Sequence, residues 1–262
     1  MTEQELTAAR FAELSRRAYE NNYRTRTNFL TMSEQALLQD MRLGRQKEST
    51  GTLSPAELIL YGGWKEAERK AAFFLPDYMS GEEAVRDVVV CLRISPLQKQ
   101  FADELTHRDY LGALMKLGIE RDQIGDILVD HQQAEAQVFV FESMKELIIR
   151  EVTRVKHTSV RVTEDEGEND RIRPEFEERE GSVASERLDA VLAFIFRLSR
   201  GKAQALIEGE AVSVDGRFVS SAGTALKAGS RVSVKGFGKF IFDGIEKETK
   251  KGRLFIKVRR FV

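Results

Sequence analysis

The chain of 262 residues has one cysteine, three histidines and no long apolar run. With Cys91 alone there is no partner for an internal disulfide. Set inside the apolar run VVVCLRI, it reads as a buried strand thiol. His107, His131 and His157 are scattered, so no His/Cys cluster has metal-ligand spacing. Phosphate-binding loops, dinucleotide fingerprints and nucleophile elbows are missing. His107-Arg108-Asp109 echoes a kinase catalytic loop, but the downstream asparagine, the D-F-G segment and the glycine-rich loop are absent. These absences leave no catalytic residue, cofactor, metal or small-molecule substrate to expect. No stretch approaches the roughly 18 apolar residues of a membrane helix, and MTEQELTAAR is too polar for a signal peptide. A cytoplasmic protein without a membrane partner is expected.

What is present is charge, unevenly placed. The net formal charge is −1, yet residues 182–262 carry 16 Lys+Arg against 8 Asp+Glu, a net of +8. The remainder carries 25 basic against 34 acidic side chains, a net of −9. A basic C-terminal domain on an acidic body points to a polyanionic partner for that domain alone.

Periodicity divides the chain into an α+β arrangement. Residues 1–79 read as a helical N-terminal region. Leu6, Phe11, Leu14 and Ala18 form one stripe, and Thr31 to Glu34 open a second helix. The segment YGGWKEAERKAAFFLPDY reads as a glycine pair before a charged helix that stops at Pro76. Lys65, Arg69 and Lys70 have the reach to contact RNA, but pairing with Glu66 and Glu68 on a solvated face is the expected use. Residues 80–163 follow the order β-α-β-β-α-β of a ferredoxin-like or RRM-like domain, with Thr106 and Asp109 as a capping box. Only AQVFVF is aromatic there, and Phe139 and Phe141 read as core, so an RRM mode of base stacking is not expected. Residues 164–181 hold nine acids and almost nothing apolar, which reads as a linker or a short charged surface segment.

Residues 182–262 form the basic domain. Leu188, Val191, Leu192, Ile195 and Leu198 recur at helical spacing. Ser199 caps a second helix that Gly209 stops, and Val212 and Val214 alternate up to an Asp215-Gly216 turn. Helix starts favour acids, but the second helix holds Arg200 and Lys202 in its first turn and no acid before Glu208. With Arg187 at the preceding helix start, the pattern predicts an anion site filled by a phosphate from outside the chain. Lys227, Arg231, Lys235 and Lys239 extend it as a run suited to a phosphate backbone.

RLDAVLAFIFRLSRGKAQALIEGEAVSVDG followed by ALKAGSRVSVKG closely resembles the S4 RNA-binding domain. Asp215 stands where asparagine is usual and Ser230 where an aspartate often follows glycine; turns accept both. GGWKEAERKAAFFLPDY, LTHRDYLGALMKLGIERDQIGDILV and the acidic joint before the S4 pattern resemble the YlmH family over nearly the whole chain. The resemblance implies a non-enzymatic factor that binds the large ribosomal subunit, with 23S-type rRNA and tRNA as partners. It further implies support of C-terminal tailing of stalled nascent chains in ribosome-associated quality control. The expected RNA-contacting residues are Arg187, Ser199, Arg200, Lys202, Gln204, Lys227, Arg231, Lys235 and Lys239. The competing expectation, from an older label of the family, is a cell-division scaffold that binds proteins.

Overall fold

A computed structural model of the chain describes residues 2–45, 51–165, 172, 174, 176–249 and 252–261. It divides into two units, residues 1–173 and 174–262. Among the described residues no helix is long and apolar enough to cross a membrane.

The first unit opens with α1 (Glu3–Asn21), β1 (Thr25–Leu30) and α2 (Met32–Arg42). Both helices start in a capping box, Thr2 with Glu5 and Thr31 with Glu34, which satisfies first-turn N–H groups reciprocally. The buried stripe of α1 is Ala8, Phe11, Ser15 and Ala18. Leu6, expected in it, is exposed, and Ser15 is buried because its hydroxyl donates to the Ser54 carbonyl at 3.1 Å. β2 (Glu57–Tyr61) and β3 (Lys70–Leu75) follow, in a three-stranded sheet of order β1-β3-β2.

The charged helix expected before Pro76 is therefore a strand, a turn and a second strand. The reason is two-sided burial. Ala71, Phe73 and Leu75 pack against the second sheet of the unit, whereas Ala72 and Phe74 pack under α1 and α2. A strand apolar on both faces shows no alternation in sequence. Arg69 does not lie on a solvated face either: it donates to the carbonyls of Phe29 and Ile124 at 2.8 and 3.2 Å.

The second sheet takes β4 (Val89–Pro96), β5 (Ile124–Asp130), β6 (Glu135–Phe141), the short β7 (Arg154–Val155) and β8 (Thr158–Glu164). With α3 (His107–Met115) and α4 (Lys145–Glu151), its order β5-β6-β4-β8-β7 is the ferredoxin-like arrangement with a short added strand. The capping box of Thr106 and Asp109 is present at the start of α3. Val138 and Val140 face α3 and α4, while Phe139 and Phe141 face the three-stranded sheet. The rings of Phe29 and Phe141 stack at 4.4 Å, and Trp64 lies over Phe139 at 6.2 Å. The two sheets share this apolar layer, so no unit boundary falls at residue 80.

The second unit is one antiparallel sheet of order β11-β10-β12-β13-β14-β9 with two helices on its apolar face. Its elements are β9 (Phe176–Val183), α5 (Leu188–Ile195), α6 (Arg200–Glu208), β10 (Val212–Val214), β11 (Arg217–Phe218), β12 (Ser230–Val234), β13 (Gly238–Glu248) and β14 (Leu254–Phe261). Residues 176–181 of the expected acidic linker thus belong to β9; residues 166–171, 173 and 175 of it lie outside the described residues. The acids of β9 have basic partners some eighty residues on. Lys257 meets Glu178 at 3.0 Å and Glu180 at 3.7 Å, and Arg260 lies 3.9 Å from Glu177.

Phe139→Ala empties a wholly buried site between the two sheets and is expected to destabilise the first unit by about 3–5 kcal/mol. Urea unfolding followed by the emission of Trp64, which lies against that ring, measures it.

Candidate nucleic-acid interface

The site begins with two helices joined by a tight reversal. α5 buries Leu188, Val191, Leu192 and Ile195, and its last turn closes when the Leu198 N–H donates to the Ala193 carbonyl at 3.0 Å. Arg197 takes the left-handed conformation, φ 52°, that this helix-ending motif needs. Ser199 then caps α6, its hydroxyl accepting from the Lys202 N–H at 3.2 Å. Ala203 and Ile207 anchor α6 in the core, and Gly209 ends it. The reversal brings the start of α6 beside the first turn of α5.

Between those starts lies Asp189, with a side chain only 7% exposed. Its carboxylate accepts from Arg200 Nη2 at 2.7 Å, from Arg187 Nε at 3.2 Å, and from Arg187 Nη2 at 3.5 Å. It also accepts from the Ala190 N–H at 2.9 Å. Burial pushes the Asp189 carboxyl upward, but the hydrogen bonds from Arg200 and Arg187 outweigh it and hold the group below its ordinary range. Both arginine side chains remain about half exposed, 49% for Arg187 and 52% for Arg200. Each guanidinium carries five N–H donors, so both keep donors for another anion.

The acid missing from the first turn of α6 is therefore supplied in part from within the chain. Asp189 reaches the Arg200 side chain, not the backbone N–H groups of the helix start, which stay free of any carboxylate side chain in that turn. Asp189 belongs to the Arg-Leu-Asp pattern, but in sequence an acid beside a phosphate site reads as repulsion, which hides its role. Its signal in sequence is position: the single acid of α5, flanked by Leu188 and Ala190 and two residues after an arginine.

The other expected residues separate into groups. Lys202 is exposed beside Arg200, and Gln204 donates to Glu208 at 2.9 Å along α6. Arg231 on β12 and Lys239 on β13 alternate with the buried Val232 and Phe240, so they lie on the sheet face opposite the two helices. Lys227 and Lys235 sit in the loops that flank β12. Asp215, φ 49°, accepts from the Arg231 N–H at 2.8 Å and holds the β10–β11 turn against β12.

Asp189→Asn keeps the shape and removes the charge. Because the folded carboxyl titrates below the ordinary value of 3.8, the stabilisation is complete above that value and is lost as pH falls through the folded one. The variant is expected to be less stable by about 1–3 kcal/mol near neutral pH, with the difference shrinking below about pH 4. Chemical denaturation across that range measures both.

Residues 90–169 match the family model described as "Putative RNA-binding domain in YlmH", and residues 186–232 match the S4 domain. The chain is 29% identical over 250 residues to "Ribosome-associated protein quality control protein P2" of Bacillus subtilis (strain 168), covering 94% of this chain and 91% of that protein. Among solved structures, "Cell division protein ylmH from Streptococcus pneumoniae" superposes with a TM-score of 0.51 at 21% identity, covering 66% of this chain and 96% of that one. That likeness shows a shared fold. The chain thus has an S4 domain at residues 186–232, preceded at residues 90–169 by a domain similar to the putative RNA-binding domain described for YlmH.

Proposed function

We propose that the S4 unit grips the phosphate backbone of structured RNA through Arg187 and Arg200, held side by side on Asp189, with Lys202 adding charge at the same helix start. The observation that carries this reading is the shared carboxylate: it fixes two guanidinium groups in place while leaving each half exposed. Groups ordered beforehand lose less freedom on binding, and guanidinium forks match phosphate oxygens. Backbone contacts of this kind give salt-sensitive affinity with little sequence preference. An RRM mode is closed to the first unit at Phe139 and Phe141, whose rings lie beneath the three-stranded sheet.

The RNA is that of the large ribosomal subunit, 23S-type rRNA together with tRNA. The chain acts there without catalysis, in the cytoplasm, supporting C-terminal tailing of stalled nascent chains. The name of the relative matched over 94% of the chain supports the ribosome and its quality control, while the large subunit, 23S-type rRNA, tRNA and tailing follow from the family resemblance. The cell-division reading rests on the name of a neighbour whose likeness, at 21% identity, speaks for fold.

Arg200→Ala is expected to weaken binding to purified large subunits about tenfold or more, and Lys202→Glu to weaken it further than a neutral change. The slope of log affinity against log salt falls by about 1 for each phosphate that is no longer neutralised. Sedimentation with large subunits over a salt series measures both. Folded variants that bind as the wild type does overturn the assignment.

A further inference from the structure

The turn joining β2 to β3 bounds a pocket of about 770 Å³ in the first unit, apart from the S4 site. Its wall is the GGWKEAERK segment, and the turn is built rigidly. A Cβ on Gly62 would come within 2.5 Å of both the Ala67 side chain and the Arg69 carbonyl. At Gly63, φ +91°, a Cβ would meet the Phe139 ring at 2.5 Å. Only glycine lets the chain lie this close to β6. Asp126 of β5 fixes the other side, accepting from Trp64 Nε1 at 3.0 Å and from the N–H groups of Glu68 and Arg69 at 2.7 and 3.0 Å.

Three cations and three carboxylates line this pocket, and they differ in what they already hold. Lys65, Lys70 and Arg86 face it, and among the described residues none has a carboxylate within ion-pair distance. Two lining acids are already engaged: Glu164 with Lys145 at 3.1 Å, and Asp165 with Gln137 at 3.0 Å and Arg93 at 3.7 Å. Glu82 is the remaining acid, and Lys65, Lys70 and Arg86 are the lining cations that keep donors for a ligand anion. The pocket also presents the aromatic surfaces of Tyr61 and Trp64. The Tyr61 hydroxyl is a hydrogen-bond donor as well as an acceptor.

Aromatic faces suit a planar ring, and cations at the rim suit a phosphate. The cavity is large enough for both in one ligand, and much larger than a bare anion needs. We propose that this pocket binds a nucleoside phosphate, supplied either as a free nucleotide or as a nucleotide of a single RNA strand. The proposal uses the first unit alone and does not depend on the S4 reading.

Trp64 is the only tryptophan of the chain, so its emission reports this pocket directly. The full chain is titrated with AMP, UMP, adenosine, uridine and a short 5′-phosphorylated oligoribonucleotide. A saturable change with the phosphorylated ligands is expected, and a much smaller one with the two nucleosides. Lys70→Glu and Arg86→Glu, each checked for unchanged circular dichroism, are expected to weaken the phosphorylated ligands about tenfold or more. Exposed Lys65→Glu gives a third variant least able to disturb folding. Response to AMP or UMP identifies free nucleotide as sufficient, and response to the oligonucleotide alone identifies an RNA strand. No saturable change at millimolar ligand, equal binding of the nucleosides, or wild-type affinity in the folded charge reversals overturns the proposal.

Discussion

A carboxylate taken out of water costs several kcal/mol unless positive charge goes with it. Asp189 meets this cost with two arginines from successive helix starts. The same bonds that keep the acid ionised also decide where the arginines stand. Neither guanidinium is free to swing away into solvent, and neither is buried. The consequence for RNA is a pair of cations whose spacing is set by the fold of α5, the left-handed Arg197 and the cap at Ser199. The hydrophobic stripe of α5, through Leu188, Val191, Leu192 and Ile195, is what holds the carboxylate at that depth.

The first unit shows a different use of burial. Its two sheets press together over Phe29, Phe73, Phe139 and Phe141, and helices cover both outer faces. The surface on which RRM domains stack bases is therefore interior here. What the unit offers instead are edges and turns, of which the Gly62-Gly63 turn is the most constrained. Asp126 ties this turn to β5, so two segments that carry the resemblance in sequence, GGWKEAERK and IGDI, meet at one carboxylate.

Local signals carry the most readable parts of the chain. The caps at Thr31, Thr106 and Ser199, the stop at Gly209 and the Asp215-Gly216 turn all stand where residue type alone places them. The β-α-β-β-α-β order is legible because its helices and strands differ in period. Sequence misleads where the deciding partner is distant. KAAFFL is a strand because it lies between a sheet and a helical layer, and neither is visible within six residues. The acids of β9 look like a linker until β14 supplies Lys257 and Arg260. At the candidate site the arginines are legible from the helix starts. Their organiser is not, since Asp189 reaches Arg200 only through the turn that brings α6 back to α5. Nor can spacing show that Arg231 and Lys239 lie across the sheet from the helices.

The central claim is that Asp189 and Arg200 serve RNA as one device. A double-mutant cycle of Asp189→Asn and Arg200→Ala, read as affinity for the large ribosomal subunit, tests it most directly. If the carboxylate works by orienting the arginine, its loss costs little once Arg200 is gone, and the two effects fall short of additivity by about 1 kcal/mol or more. Full additivity, or an Asp189→Asn variant that binds as the wild type does, would contradict the account.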